Sequence, residues 1–204
     1  MKDNLTELVL IVDRSGSMAS IREDAQGGFD EFIKKQKEVE GEARITLTEF
    51  DNQINVVCEN IDIKEMKPYK LEPRGSTALL DAIGQTINKV GKRLSETKEE
   101  DRPSKVFVCI ITDGEENSSR EFSKTQIKEM IEHQRTKYSW EFVFIGANMD
   151  AFTEAGSMGI AFAASYDATA KGIESAFLYS CDLSTQYRTT GNLDNVAKNV
   201  KLDS

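Results

Sequence analysis

Histidine, cysteine, proline and long apolar runs are all scarce in this chain, and each scarcity closes a class of function. The single histidine, His133, stands among Glu132, Gln134 and Arg135 in a stretch of helical spacing, where a solvated side chain is expected rather than a catalytic one. The three cysteines, Cys58, Cys109 and Cys181, are odd in number, far apart and without C-x-x-C spacing, so neither a disulfide framework nor a zinc site is expected. Only three prolines, with 39% hydrophobic and 30% charged residues, exclude a disordered or fibrous chain. The longest apolar runs, Leu8 to Val12 and Val106 to Ile111, fall far short of the ~18–20 residues that cross a bilayer. Basic residues are outnumbered by acidic ones, 26 to 35, and the net charge of −9 argues against nucleic acid as a partner. The N-terminus has acids and no long apolar stretch, does not read as a signal peptide, and leads to the expectation of a cytoplasmic protein.

At 204 residues, one core is expected, since a domain averages about 150 residues. Leu8-Val9-Leu10-Ile11-Val12 and Val106-Phe107-Val108-Cys109-Ile110-Ile111 are apolar at every position, the pattern of strands covered on both faces. Between them, Phe29, Phe32, Ile33 and Val39 mark an amphipathic crossover helix, and Leu79, Ile83, Ile87, Val90 and Leu94 a second one. Strand-like runs at 45–50 and 54–57 are separated only by Asp51-Asn52-Gln53, too short for a helical crossover, so they pair antiparallel. A helix from about Ser123 to Tyr138, a strand at Glu141 to Ile145, a short helix around Asp150 to Met158, a strand at Ile160 to Ala164 and a helix from Ala168 to about Tyr187 complete the alternation. The expectation is an α/β, Rossmann-like, doubly wound sheet, mainly parallel, with one antiparallel edge strand and helices on both faces. Residues 1–188 are assigned to this domain and the polar residues 189–204 to a C-terminal tail.

Function in such sheets gathers at the C-terminal ends of the strands, where strand order reverses. The first strand runs directly into Asp13-Arg14-Ser15-Gly16-Ser17, which places a carboxylate and two hydroxyls on one loop at that edge. The strand at 106–111 delivers Asp113 to the same edge, and Arg74-Gly75-Ser76-Thr77 supplies hydroxyls before the second helix. Carboxylate and hydroxyl oxygens, with no sulfur or imidazole, suit Mg2+ or Mn2+. Asp81 reads either as support for this site or as an acid at a helix N-terminus, and Glu115, Glu116 and Asn117 either as its rim or as a solvated loop.

On these residues the chain resembles the von Willebrand factor type A family, in its intracellular prokaryotic kind, with a complete metal-ion-dependent adhesion site. Asp13, Ser15 and Ser17 match the D-x-S-x-S motif, Thr77 the threonine loop and Asp113 the distant aspartate. Ser76 stands where the threonine loop often has a second glycine, and is a competing hydroxyl. The resemblance implies a non-enzymatic module in which the metal leaves one position for an Asp or Glu side chain of a partner protein, as in assemblies that contain an ATPase. Two alternatives stay open: a phosphohydrolase-like metal enzyme, and a scaffold that the metal merely stabilises. Phosphohydrolases of the haloacid dehalogenase type space two aspartates by two, but Ser15 occupies that second position. A receiver-like site wants a lysine after the strand at 141–145, where the sequence reads Gly146-Ala147-Asn148, and no phosphate-binding glycine motif follows any strand.

Overall fold

The two wholly apolar runs of the sequence become neighbours at the centre of one sheet. A computed structural model of the chain describes residues 1–147 and 150–202, so Asn148 lies outside the described residues. Its strands are β1 (Lys2–Asp13), β2 (Glu42–Phe50), β3 (Ile54–Asp62), β4 (Pro103–Thr112), β5 (Glu141–Ala147), β6 (Phe162–Tyr166) and β7 (Asn199–Lys201). They pair in the order β3-β2-β1-β4-β5-β6-β7, all parallel except the edge strand β3, which runs antiparallel to β2. The helices are α1 (Arg22–Glu38), α2 (Leu79–Glu96), α3 (Lys124–Tyr138), α4 (Ala151–Ser157) and α5 (Ala170–Thr190).

Alternation along β1 and β4 explains why their stretches 8–12 and 106–111 are apolar at every position. Leu8, Leu10 and Val12 with Phe107, Cys109 and Ile111 pack toward α1 and α5. Val9 and Ile11 with Val106, Val108 and Ile110 pack toward α2, α3 and α4. Each fully buried side chain of this size contributes about 1.5–3 kcal/mol, an upper figure because unfolded chains already hide some surface. Leu10 pairs with Cys109 in the β1–β4 register, so the two strands end level and deliver their following loops to one edge.

Local signals set several helix ends. Ser123 caps α3 in a box with Gln126, and Ser139 closes it in the left-handed conformation at φ 55°. Arg188 of α5 donates to the Gln36 carbonyl at 2.6 Å and to the Val39 and Gly41 carbonyls, tying α5 to the free C-terminal end of α1. Of residues 189–204, read above as a polar tail, 189–190 extend α5 and 199–201 form β7 beside β6, while 203–204 lie outside the described residues. β7 holds three residues with one apolar side chain, Val200, too few for any alternation to show. Cys109 and Cys181 are buried and Cys58 half-buried, all three as free thiols. Among the described residues no helix is long and apolar enough to cross a membrane.

Candidate metal centre

Strand order reverses between β1 and β4, whose neighbours lead in opposite directions across the sheet, and the chemistry-bearing loops meet beyond their C-terminal ends. Asp13, the last residue of β1, is fully buried; its Oδ1 accepts from the Ser15 amide at 2.6 Å and its Oδ2 from Thr112 Oγ1 at 2.5 Å. Ser15 Oγ lies 3.0 Å from Ser17 Oγ, and Ser17 Oγ donates to Asp113 Oδ1 at 2.7 Å. A continuous chain of oxygens thus runs from the first loop to the end of β4.

Thr77 closes the cluster from the third side. It is buried while Ser76 is exposed, and a Cβ built on Gly114 would lie 3.3 Å from Thr77 Oγ1 and 3.7 Å from Ser17 Oγ. Gly114 therefore lets the loop after β4 pass close to both hydroxyls. Gly16 donates to the Gly75 carbonyl at 3.1 Å, which holds the serine and threonine loops together. Gly75 has φ +69°, and a Cβ there would lie 2.3 Å from Asn52 Oδ1, so the turn before Thr77 requires glycine.

The start of α2 is anchored by the loop that follows β4. Asn117 Oδ1 accepts from the Thr77 amide, Glu116 Oε2 from the Leu80 amide and Ser119 Oγ from the Asp81 amide, so side chains take up N–H groups that the helix leaves open. In return Asp81 accepts from the amides of Arg120, Glu121 and Phe122. Asp81 thus secures the loop rather than reaching the oxygen cluster. Glu116 likewise faces inward on the amides of Ser118 and Ser119, so Glu116 and Asn117 form a brace while Glu115 is exposed.

Electrostatics single out two carboxylates. Burial pushes Asp13 up to about 6, with the Asp113 charge adding to the rise and the Thr112 and Ser15 hydrogen bonds opposing it. Asp113 is also raised by burial, against hydrogen bonds from Ser17 and Ser15. The other buried acids are compensated: Glu7 meets Arg93 at 2.7 Å, Glu49 meets Arg14 at 2.6 Å, Asp51 lies between Arg14 and Arg74, and Asp81 accepts from three backbone amides. Among the described residues neither Asp13 nor Asp113 has a basic partner. Nor is any group of three or more His, Cys, Asp or Glu side chains gathered for a metal among them. The five residues here offer two carboxylates and three hydroxyls, hard oxygens that fit a small divalent cation needing charge neutralisation.

No family model matches the sequence, and no curated protein matches it. Solved structures do match. A von Willebrand factor type A protein from Catenulispora acidiphila superposes with a TM-score of 0.62 at 14% identity, over 90% of this chain and 43% of that one. Proximal thread matrix protein 1 from the mussel byssus superposes with a TM-score of 0.60 at 13% identity, over 90% of this chain and 47% of that one. The fold is that of von Willebrand factor type A domains. This chain spans less than half the length of either of those chains. Another structure of the mussel protein, with a TM-score of 0.58 at 12% identity, has zinc in its metal-ion-dependent adhesion site.

Three contributors to this corner of the type A fold escape a reading by sequence. Thr112 ends an apolar strand and carries no sign that its hydroxyl turns to Asp13. Asp51 lies in a hairpin turn, where acids are ordinarily solvated. Ser119 belongs to a run of polar residues whose inward direction only the fold reveals.

Proposed function

We propose that this chain is a metal-dependent protein-binding module in which Asp13, Ser15, Ser17, Thr77 and Asp113 hold Mg2+ or Mn2+ and the ion bridges to an Asp or Glu side chain of a partner protein. The observation that carries the reading is the adjacency of two desolvated carboxylates with no basic side chain beside them, inside a ring of hydroxyls. The zinc-occupied adhesion site of the mussel protein, on the same fold, supports divalent metal in this position.

The residues divide the work. Asp13 and Asp113 supply negative charge from beneath. Ser15, Ser17 and Thr77 supply neutral oxygens, which cancel little of a cation's charge. Ser17 is exposed, which sets the open side of the cluster toward solvent and an incoming partner. When bound, the metal supplies local positive charge that draws an acidic side chain despite the net −9 of the chain. Nothing in this arrangement calls for bond cleavage: Ser15 stands where a second aspartate would act as acid and base, and His133 is exposed on α3 against Tyr138.

Thermal unfolding of the wild type and Asp113→Ala with Mg2+, Mn2+, Ca2+ or chelator tests the reading. At metal about 100 times its dissociation constant the wild type gains about 2.7 kcal/mol, or roughly 5–10 °C, and Asp113→Ala does not move. A wild type that ignores both Mg2+ and Mn2+ removes the metal from the account. Capture of an acidic partner in Mg2+, lost with chelator and with Thr77→Ala, tests the second half.

A further inference from the structure

The turn joining β2 to β3 contains a fully buried acid, Asp51, every hydrogen-bonding group of which is engaged by residues flanking the oxygen cluster or by its own turn. Asp51 Oδ1 accepts from the Gln53 amide at 2.6 Å, which shapes the turn. Asp51 Oδ2 accepts from Arg74 Nε at 2.7 Å and lies 3.0 Å from Arg14 Nε. The Asp51 carbonyl accepts from the Ala78 amide at 2.8 Å. Arg14 lies between Asp13 and Ser15, while Arg74 and Ala78 bracket Thr77. One carboxylate therefore grips both sides of the cluster.

Backbone bonds complete the clasp. The Arg14 amide donates to the Phe50 carbonyl and the Arg74 amide to the Arg14 carbonyl, each at 2.8 Å. The Arg14 guanidinium also donates to Glu49 Oε1 at 2.6 Å, and Glu49 Oε2 accepts from the Tyr69 hydroxyl at 2.7 Å. With its guanidinium hydrogen-bonded to Glu49 and ion-paired with Asp51, Arg14 has little freedom to let the serine loop drift from the threonine loop.

We propose that Asp51, acting through Arg14 and Arg74, is the positioning residue that sets the separation between the Ser15/Ser17 hydroxyls and the Thr77 hydroxyl; this rests on the metal-site reading above. Asp51 is not a ligand, since both of its oxygens are committed to Gln53, Arg14 and Arg74. Its effect on metal affinity is the effect of an outer partner that orients the atoms in contact with the ion.

The test is titration of the metal-free protein with MgCl2 and MnCl2 by calorimetry, well below each variant's unfolding midpoint, with circular dichroism confirming the fold. Asp51→Asn keeps the shape and the acceptor for Gln53 but loses the charge, and is expected to weaken Mg2+ binding about 10- to 100-fold. Arg74→Gln removes one arm whose side chain is 57% exposed, so it keeps the fold even if Asp51→Asn unfolds, and is expected to give a smaller loss in the same direction. Glu7→Gln alters a buried ion pair in the middle of β1, away from the oxygen cluster, and serves as the control for a general change in stability: its midpoint moves while its metal affinity stays within about threefold of the wild type. If the wild type binds and both clasp variants bind equally well, the positioning role is overturned and the metal site stands. If the wild type gives no binding, both readings fall together.

Discussion

Thr112 Oγ1 donates to Asp13 Oδ2 at 2.5 Å, so the last residue of β4 grips the last residue of β1. This bond opposes the rise that burial imposes on Asp13. Thr112→Val keeps the volume and deletes the donor. Leaving Asp13 short of a partner is expected to cost about 1–3 kcal/mol in chemical denaturation under chelator. A denaturation midpoint equal to wild type would show that water replaces the hydroxyl at no cost.

Asp81→Ala separates bracing from ligation. It strips the acceptor from the amides of Arg120, Glu121 and Phe122 and is expected to lower stability by about 1–3 kcal/mol. The upward shift of the midpoint on adding Mg2+ is expected to persist. Thermal scans with and without Mg2+ check both, and a shift abolished as in Asp113→Ala would make Asp81 part of the metal site.

Glu7 gives a pH dependence with a definite sign. Burial raises it above 4.5, with Arg93, Thr46 and Arg44 pulling the other way; Arg93 also faces Glu59 at 3.5 Å. Because the folded state then holds the proton more tightly than the unfolded chain, this contribution to stability is fully present below about 4.5 and is lost as pH rises through the raised value. Glu7→Gln is expected to flatten that part of the profile measured by denaturant titration. A slope unchanged by the substitution would assign it to other groups.

Gly28→Ala probes the α1–α5 seam. A Cβ there would come within 2.7 Å of the buried Phe177 ring. Overpacking is expected to outweigh alanine's better helix propensity and destabilise by about 1–3 kcal/mol net. Urea unfolding checks this, and a more stable variant would mean that α5 can shift outward.

The sheet was legible where chemistry and burial coincide along the chain. β1 and β4 are apolar at successive positions because both faces are covered, and no other local state explains such a run ending in Asp13 or Thr112-Asp113. The hairpin of β2 and β3 followed from a connection too short for anything else. Asp13, Ser15, Ser17 and Asp113 could be placed at one edge because strand ends fix where their loops emerge, whereas the preference for Thr77 over Ser76 came from the resemblance alone. The Arg14–Glu49 pair, 35 positions apart, could not, since a charge in a loop ordinarily signals solvent and only the closed sheet removes it. β7 escaped because a strand that short contributes backbone pairing almost alone.

The β1–β4 pairing also dictates when the site can come into being. Asp13 and Thr112 are 99 positions apart. On a ribosome, β1 and β2 emerge and can pair early, but the other edge of β1 stays open for about 5–20 s at ordinary elongation rates, until β4 follows. A nascent chain in that interval has a long apolar strand edge and no assembled oxygen cluster, which is the period of greatest exposure to wrong pairing. The cluster is therefore a clock as well as a site: its formation marks the moment at which the two halves of the sheet join.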